Sequence, residues 1–484
     1  MEKTVVLYPG LGVSHFVPMM QLAAQLVKHG YAVSVALIDP GVKEDIVFRA
    51  VAASMPSVSF HTLPGVEDPP KLTMGIEFIP RYIDLLRRYN ERLHDFLCSM
   101  RPRRVHALVV DSVSSEAVVV AKRVGIPCYN LFTSSASILA AFSQLPTLLP
   151  EGGPSFGELG DSPLQLFGLP PMPASHLLRE MLEDPEGETY KATMGSVCWI
   201  MEANGTLVNT FESLEAPGVA ALRDPRCVPG RVLPPVYCIG PFIRAIAEAN
   251  ERHECLVWLD GQPDRSVVFL CFGSTGAKSH SEEQLREIAV GLENSGHRFL
   301  WVVRAPVHAT EKPFDPCADP DLAALLPEGF MERTRGRGLV VKLWAPQIDV
   351  LRHRATGAFV THCGWNSVLE SVTAGVPMLC WPLYAEQKMN MVLMVGDMGI
   401  AVEMVGWQQG LVKAGEVEGK VRLVMESEEG RELSARVEAH KEGAAAACNH
   451  GGSSRLAFAQ FLTDVASLHD RASTGEARDP HGTQ

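Results

Sequence analysis

Short apolar runs alternate along the chain with longer segments in which apolar residues recur at helical spacing. In the first half, such runs predict strands at 4–8, 31–38, 58–63, 104–111, 127–132, 206–210 and 236–240. In the second half, they predict strands at 266–273, 298–303, 339–344, 357–362, 377–382 and 401–405. Helices are predicted at about 15–29, 75–99, 428–447 and 454–468. Because strands and helices alternate, the pattern predicts parallel, doubly wound sheets of the α/β class.

The two strand series are separated by a charged stretch at 242–254, which we interpret as a linker. We therefore expect one domain at 1–241 and a second at 255–450. Residues 146–186 are rich in proline and glycine, which predicts long functional loops with one short helix near 175–182. A helix is expected at 451–470, and the polar residues 471–484 are expected to be disordered.

The composition of the chain limits which kinds of partner the protein is expected to bind and in which compartment it is expected to work. The 484 residues carry a net charge of −13, which disfavours binding to nucleic acids and to anionic membranes. The 11 cysteines are scattered without a C-x-x-C pair, which argues against a disulfide framework or a zinc site. No apolar run has the length of a membrane span, and the N-terminus lacks the pattern of a signal peptide. We expect a cytoplasmic monomer that acts on small molecules.

Polar and aromatic residues follow three successive strands between 344 and 387, at the strand ends where parallel sheets bind ligands. After the first of these strands, the indole of Trp344 offers a flat face to a base, and the amide of Gln347 can pair with a base edge. After the second, a helix start favours phosphate through its free N–H groups and its dipole. The residues at that helix start are His362, Gly364, Asn366 and Ser367.

Further along the same stretch, side chains suit sugar hydroxyls. Glu370 shares a helix face with Asn366 and Ser367, from which its carboxylate can accept hydrogen bonds from a ribose. The adjacent acid and amide Glu386 and Gln387 suit a polyhydroxyl such as a hexose. Taken singly, these residues could be helix caps or core residues. Their combined spacing favours a site that contacts base, ribose, diphosphate and sugar in that order.

Two groups in the first half predict acid–base chemistry. His15 follows strand 1 and Asp111 ends strand 4, and a doubly wound order places these two strands side by side. A histidine with a carboxylate beside it is a general base with its orienting group, although His15 alone could be a helix cap.

In the second half, Gly273 and Ser274 follow the first strand and are expected to face the His362 helix start, in a phosphate site or a tight turn.

Residues 344–387 resemble the donor-binding box of plant family 1 UDP-dependent glycosyltransferases. The matching motifs are WAPQ, HCGWNS, Glu370, AGVP and WPLYAEQ. The segment SHFVP is similar to the stretch that carries the catalytic histidine of this family, and DSV is similar to the stretch of its aspartate partner. Ser14 replaces the usual glycine and Val113 the usual aromatic residue, and neither change removes a reacting group.

The resemblance implies the GT-B architecture, two Rossmann-like domains facing across a cleft, with the final helix packed back on the first domain. It implies an inverting transferase that moves glucose from UDP-glucose to a small phenolic acceptor, such as a flavonoid, and forms a β-glucoside. It implies that the diphosphate is stabilised by helix termini without a metal. The implied roles are base stacking for Trp344, phosphate contact for His362, Asn366 and Ser367, and sugar contact for Trp365, Glu386 and Gln387. Ala345 completes the predicted UDP-sugar contacts.

The acceptor pocket is predicted from position and hydrophobicity alone, and most of its candidate residues could equally be core. These candidates are Phe16, Ile138, Phe142, Met194, Trp199 and Tyr384.

Three alternatives stay open at this point. The acidic loop at 319–321 has a D-x-D spacing that holds metals in other glycosyltransferases, but it lies far from the predicted strand ends. A nicotinamide-dependent oxidoreductase would use the first domain, although the third glycine of the dinucleotide motif is replaced by His15. A UDP-sugar-binding protein without activity would not need both His15 and Asp111.

Overall fold

The computed structural model describes residues 3–38, 51–72, 75–100, 105–243, 252–273, 280–306 and 318–474. The chain forms two compact units. Unit 1 comprises 1–169, 179–242 and 447–484, and unit 2 comprises 170–178 and 243–446. The short segment Pro170–Leu178 therefore belongs to unit 2, although the sequence placed it inside a continuous first domain.

Unit 1 is built on a seven-stranded parallel sheet in the order β3-β2-β1-β4-β5-β6-β7. Its strands are β1 Thr4–Tyr8, β2 Ala32–Leu37, β3 Val58–Thr62, β4 Val105–Asp111, β5 Cys128–Phe132, β6 Gly205–Val208 and β7 Val236–Cys238. The helices between them are α1 Val13–Lys28, α2 Phe78–Ser99, α3 Val118–Val124, α4 Ala136–Leu148, α5 Phe156–Leu159, α6 Glu188–Ile200 and α7 Ala216–Arg223. The predicted adjacency of strands 1 and 4 is confirmed by the pairing of Tyr8 with Val110.

Unit 2 is built on a six-stranded parallel sheet in the order β10-β9-β8-β11-β12-β13. Its strands are β8 Val267–Cys271, β9 Arg298–Val303, β10 Gly338–Lys342, β11 Thr356–Thr361, β12 Met378–Cys380 and β13 Ala401–Glu403. Its helices are α8 Glu254–Asp260, α9 Glu282–Ser295, α10 Leu322–Leu325, α11 Phe330–Arg333, α12 Gln347–Arg352, α13 Trp365–Ala374, α14 Gln387–Val395, α15 Ala414–Glu426 and α16 Glu428–Cys448. Each predicted strand is present, several with C-terminal ends two residues earlier.

The last helix, α17 Ser453–Thr474, belongs to unit 1. Phe458, Phe461 and Val465 on its apolar face join the core formed by α1 and the central strands. The hydroxyl of Tyr237 on β7 donates to the Asp464 carboxylate at 2.5 Å. The helix covers the first residues of the predicted tail, and 475–484 lie outside the described residues.

The loop-rich region before α6 differs from its prediction. A single helix was expected near 175–182, but the structure has two short 3₁₀ turns at Ala174–His176 and Arg179–Met181. Leu177 is extended, with ψ 167°, and this conformation ends the first turn. Two-residue strands lie at Pro163–Leu164 and Met172–Pro173. Among the described residues, no helix is both long and apolar enough to cross a bilayer.

Candidate active site

His15 and Asp111 meet at the C-terminal edge of the unit 1 sheet. The chain leaves β1, turns at Gly12 with φ 94°, and starts α1, so that His15 lies in the first turn of this helix. Asp111 is the last residue of β4, the neighbour of β1, and its side chain is fully buried. The His15 Nδ1 atom lies 2.9 Å from Asp111 Oδ2. The structure therefore brings together the base and the orienting carboxylate that the strand order predicted.

Two backbone features fix the Asp111 carboxylate. Its Oδ1 atom accepts a hydrogen bond from the Val113 N–H at 2.9 Å. Gly10 packs against the same atom so closely that a Cβ there would lie 2.6 Å from Oδ1. Val113 lacks the aromatic side chain usual in the family pattern, yet its contribution to the carboxylate comes from its backbone. The substitution therefore leaves the contact between His15 and Asp111 intact.

Thr133 is a third member of this group, and it was missed in the sequence. It directly follows β5, which lies beside β4, and its Oγ1 atom lies 3.2 Å from His15 Nδ1. Because Nδ1 faces a carboxylate and a hydroxyl, the tautomer assigned from these contacts carries its proton there and leaves the lone pair on Nε2. The available signal was a hydroxyl residue at the end of the next strand in the sheet.

Trp344 follows β10 in unit 2 and exposes its indole. Leu343 before it has a positive φ of 64°, a left-handed conformation that turns the chain out of the strand. The indole is 59% exposed, which is high for a large apolar ring, and one side meets the His253 ring edge-on at 5.7 Å. The rest of the indole surface is available for base stacking.

Gln347, Ser367 and Glu370 form a hydrogen-bonded group next to Trp344. The Gln347 Nε2 atom donates to Ser367 Oγ at 2.9 Å and to Glu370 Oε2 at 2.7 Å. Both amide hydrogens are thereby used, so any contact with a base edge would fall to the Gln347 oxygen. Burial raises the pKa of the Glu370 carboxyl to about 7, although the Gln347 bond opposes this shift. This carboxyl is positioned to accept from hydroxyl groups in its ionised form.

His362 lies between two glycines at the start of α13. A Cβ atom at Gly273 or Gly364 would lie 2.7 Å or 2.6 Å from His362 Nε2, so both positions need glycine. Burial lowers the pKa of His362 to about 4, and its Nδ1 atom has no hydrogen-bond partner among the described residues. The site offers a neutral imidazole and the free N–H groups of a helix start, which together suit a phosphate. Asn366 lies in the first turn of α13, and Ser274 lies outside the described residues.

Gln387 begins α14 and has its oxygen already engaged. The Leu383 N–H and the Tyr384 N–H both donate to Gln387 Oε1 at 2.9 Å. Only the Nε2 hydrogens therefore remain for a sugar, whereas the carboxylate of Glu386 supplies acceptors. In the predicted sugar-facing pair, the Gln387 amide is therefore a donor held in place, and the Glu386 carboxylate is an acceptor.

Several other predicted contacts lie inside the units. Trp365 and Ala345 are buried in unit 2. Of the acceptor candidates, Phe16 belongs to the main core of unit 1, and Ile138 is fully buried. Core positions outnumber open ones in this set because selection by hydrophobicity favours core residues. The remaining candidates are Phe142 and Met194, both buried, and Trp199 and Tyr384, both partly exposed.

The carboxylates of the D-x-D loop have structural partners. Asp319 accepts from Lys342 Nζ at 2.9 Å. Asp321 caps α10 by accepting from the Ala323 and Ala324 N–H groups. Within the described residues, no group of three or more potential ligands could hold a metal ion.

Known proteins that resemble the chain are plant glycosyltransferases. The family model for UDP-glucoronosyl and UDP-glucosyl transferase matches residues 225–426. An anthocyanidin 5,3-O-glucosyltransferase from a Rosa hybrid cultivar is 38% identical, over 94% of this chain and 98% of the relative. A phloretin 2'-O-glucosyltransferase from Malus domestica is 40% identical, over 96% of this chain and all of the relative.

Solved structures agree with these relatives. UGT2 of Phytolacca americana, complexed with UDP-2fluoro-glucose and pterostilbene, superposes with a TM-score of 0.84 at 34% identity. The match covers 96% of this chain and all of that protein. Such coverage decides against the nicotinamide-dependent alternative. The chain therefore belongs to the plant family 1 UDP-dependent glycosyltransferases, and its two parallel-sheet units are those of the GT-B fold.

Proposed function

We propose that the protein transfers glucose from UDP-glucose to a hydroxyl of a small phenolic acceptor, with inversion to a β-glucoside. The observation that carries this proposal is the contact of 2.9 Å between His15 and the buried Asp111. A UDP-sugar-binding protein without activity would have no use for a histidine held in this tautomer.

The chemical step follows from the geometry of His15. Its Nε2 lone pair takes the proton of the acceptor hydroxyl as the oxygen attacks the anomeric carbon of the donor. The bond between that carbon and the diphosphate oxygen breaks, and its electron pair leaves with UDP. The imidazolium formed on His15 is stabilised by the Asp111 carboxylate at 2.9 Å. Attack opposite an α-linked leaving group gives the β-glucoside.

The departing diphosphate is stabilised by groups that need no metal. The first N–H groups of α13 and the neutral His362 donate to phosphate oxygens, and the helix dipole has the favourable sign there. We expect activity to persist in EDTA, and a strict requirement for magnesium would contradict this mechanism. Asp319→Ala should leave turnover unchanged because Asp319 already pairs with Lys342.

Support for a phenolic acceptor comes from the relatives. The two named above act on an anthocyanidin and on phloretin, and the Phytolacca protein binds pterostilbene. All three are phenols, whose hydroxyls lose a proton more readily than those of alcohols. We propose the same acceptor class here, in a cytoplasmic monomer without a nucleic-acid partner. A net charge of −13 and free thiols at every described cysteine support that setting.

One experiment tests the proposal directly. The protein is incubated with UDP-glucose and a panel of flavonoids, stilbenes and simple phenols, with and without EDTA. Products are identified by mass, and the anomeric configuration by NMR. A β-glucoside formed with stoichiometric UDP release is the expected result. Binding of UDP-glucose without UDP release on the whole panel would instead favour the binding protein.

A further inference from the structure

The segment Pro170–Leu178 comes from the first half of the chain but belongs to unit 2. The chain leaves unit 1 after Leu169 and returns to it at Arg179, so these nine residues form a strap on the donor-binding unit. Ser175 and His176 lie in its 3₁₀ turn, and the His176 side chain is buried. The strap is thus held by contacts within unit 2.

Lys388 makes a polar contact that fastens the strap, beside a longer one between Gln408 Nε2 and His176 Nε2 at 3.5 Å. Its Nζ atom donates to the Ser175 carbonyl oxygen at 3.1 Å and lies 5.7 Å from the centroid of the Trp407 ring. The His176 ring tilts against the same indole, with centroids 5.7 Å apart. The Trp407 Nε1 atom donates to Glu403 at 2.8 Å, which fixes the orientation of the indole. We name Ser175, His176, Lys388 and Trp407 the clasp.

The position of Lys388 needs these compensating contacts. It is the second residue of α14, where the helix dipole disfavours a positive charge. A carbonyl oxygen and the face of an indole are both favourable partners for an ammonium group. The Ser175 carbonyl oxygen and the Trp407 indole therefore stabilise the Lys388 ammonium group at a position where the dipole of α14 is unfavourable.

The clasp lies next to the residue that presents a donor to the sugar. Lys388 directly follows Gln387, whose oxygen binds the Leu383 and Tyr384 N–H groups. Movement of the first turn of α14 would shift the Gln387 amide and the Glu386 carboxylate together. The predicted contacts to base and ribose lie just before α12, on α12 and on α13, and these segments carry no clasp residue.

We propose that Lys388 is a positioning residue for the sugar end of the donor site, acting by fastening the Pro170–Leu178 strap to the first turn of α14. The inference rests on the proposed donor, UDP-glucose, because its hexose is the part that is predicted to contact Glu386 and Gln387. The consequence is selective: binding of UDP-glucose depends on the clasp, and binding of UDP, which lacks the hexose, does not.

The test compares Lys388→Met with Lys388→Arg in the full-length protein. Met keeps most of the side-chain length without the charge or the hydrogen bond, whereas Arg keeps both. Calorimetry should show UDP-glucose bound about 3- to 10-fold more weakly by Lys388→Met, the size of one lost hydrogen bond, with UDP affinity changed less than about twofold. Lys388→Arg should recover most of the loss, and KM for UDP-glucose should follow the same order.

Lys420→Met is the matched control, because Lys420 pairs with Glu416 on α15, a helix that contains no clasp residue. It should change neither affinity. Trp407→Leu removes the indole under the ammonium group and should weaken UDP-glucose in the same way, non-additively with Lys388→Met. If Lys388→Met folds poorly, this second variant still tests the clasp.

Equal weakening of UDP and UDP-glucose would overturn the inference, since it would indicate a general structural role. Unchanged UDP-glucose affinity in both variants would overturn it as well. The binding assays do not depend on turnover, so they are distinguishable from a failure of the proposed function. That failure would appear as wild-type protein that releases no UDP and forms no glucoside.

Discussion

The sheet edges of the two units carry different kinds of group. In unit 1, His15, Asp111 and Thr133 lie at or after the ends of three neighbouring strands and are far apart in the sequence. In unit 2, the predicted contacts to base, ribose, phosphate and sugar lie within residues 344–387. A reacting group needs only a few precisely oriented atoms, whereas a nucleotide sugar is long and needs a row of successive contacts. One strand–helix series supplies such a row.

The electrostatics of the two edges differ in the same way. Unit 1 holds a fully buried carboxylate against an imidazole, an arrangement that stabilises a positive charge as it forms. Unit 2 holds a histidine whose pKa is lowered to about 4 and a helix start, which together offer neutral donors suited to a negative charge. The first edge is suited to proton transfer, and the second to a leaving diphosphate.

The largest effect is expected on kcat, from substitution of His15 at the edge of the unit 1 sheet. His15→Ala should lower kcat roughly 10²–10⁴-fold, the usual contribution of a general base. Affinity for UDP-glucose should hardly change, since the predicted donor contacts lie in unit 2. Asp111→Ala should also be slow, and the double variant little slower than His15→Ala, because residues that act as a unit are non-additive. Steady-state kinetics with calorimetry measures both quantities.

An internal control uses the acidity of the acceptor. Acidic phenols need less help to lose their proton, so His15→Ala should lose less activity on them. Near-normal turnover of a weakly acidic acceptor by His15→Ala would show that another group is the base.

The next largest effect is expected on UDP binding, from substitution of Trp344 at the edge of the unit 2 sheet. Trp344→Ala should weaken UDP binding by about 1–3 kcal/mol, the range for a lost stacking contact with a base. Trp344→Phe keeps a ring and should lose much less. Turnover at saturating donor should fall little in either variant, which is the opposite of His15→Ala. Equal UDP affinity in all three proteins would remove the stacking role of the indole.

A pH series tests the ribose contact. The pKa of the Glu370 carboxyl is raised to about 7 by burial, so the carboxylate is lost as pH falls through that value. Since ribose hydroxyls donate to the ionised form, UDP-glucose should bind more weakly from pH 8 to 6, by at most about tenfold per pH unit. UDP-glucose is the right ligand because its diphosphate, a diester, does not titrate in this range. Glu370→Gln should abolish the slope, and a slope that survives this change would belong to another group.

The sequence predicted much of this molecule because its patterns are local. Apolar periodicity predicted the series of strands. The order of a doubly wound sheet then predicted that β1 lies beside β4 and that His15 lies near Asp111. Three features did not follow. The strap at Pro170–Leu178 depends on long-range packing, and the commitment of the Gln387 oxygen depends on the backbone turn before it. Phe16 and Ile138 show why acceptor residues were the hardest to select, since apolar composition alone does not separate a pocket wall from a core.

The smallest effect is expected from substitution of Thr133, which contacts His15 at the edge of the unit 1 sheet. Its Oγ1 atom lies 3.2 Å from His15 Nδ1, where it supplements the Asp111 carboxylate as an acceptor. Thr133→Val keeps the shape of the side chain and removes this acceptor, at a cost of about 0.5–1.5 kcal/mol in the transition state, or roughly 2- to 10-fold in kcat. Thr133→Ser retains the hydroxyl and should stay close to wild type.

A pH profile separates this role from a merely structural one. The hydrogen bond from Nδ1 to Thr133 is stronger when the ring is protonated, so its loss should disfavour the protonated ring. The acid limb of kcat/KM should therefore move to lower pH in Thr133→Val and stay in place in Thr133→Ser. A drop in kcat with an unmoved limb would mean that Thr133 supports the fold or contacts substrate rather than orienting His15. Combined with Asp111→Ala, the Val substitution should cost more than it does alone, because the hydroxyl then carries a contact with Nδ1 that it otherwise shares with the carboxylate.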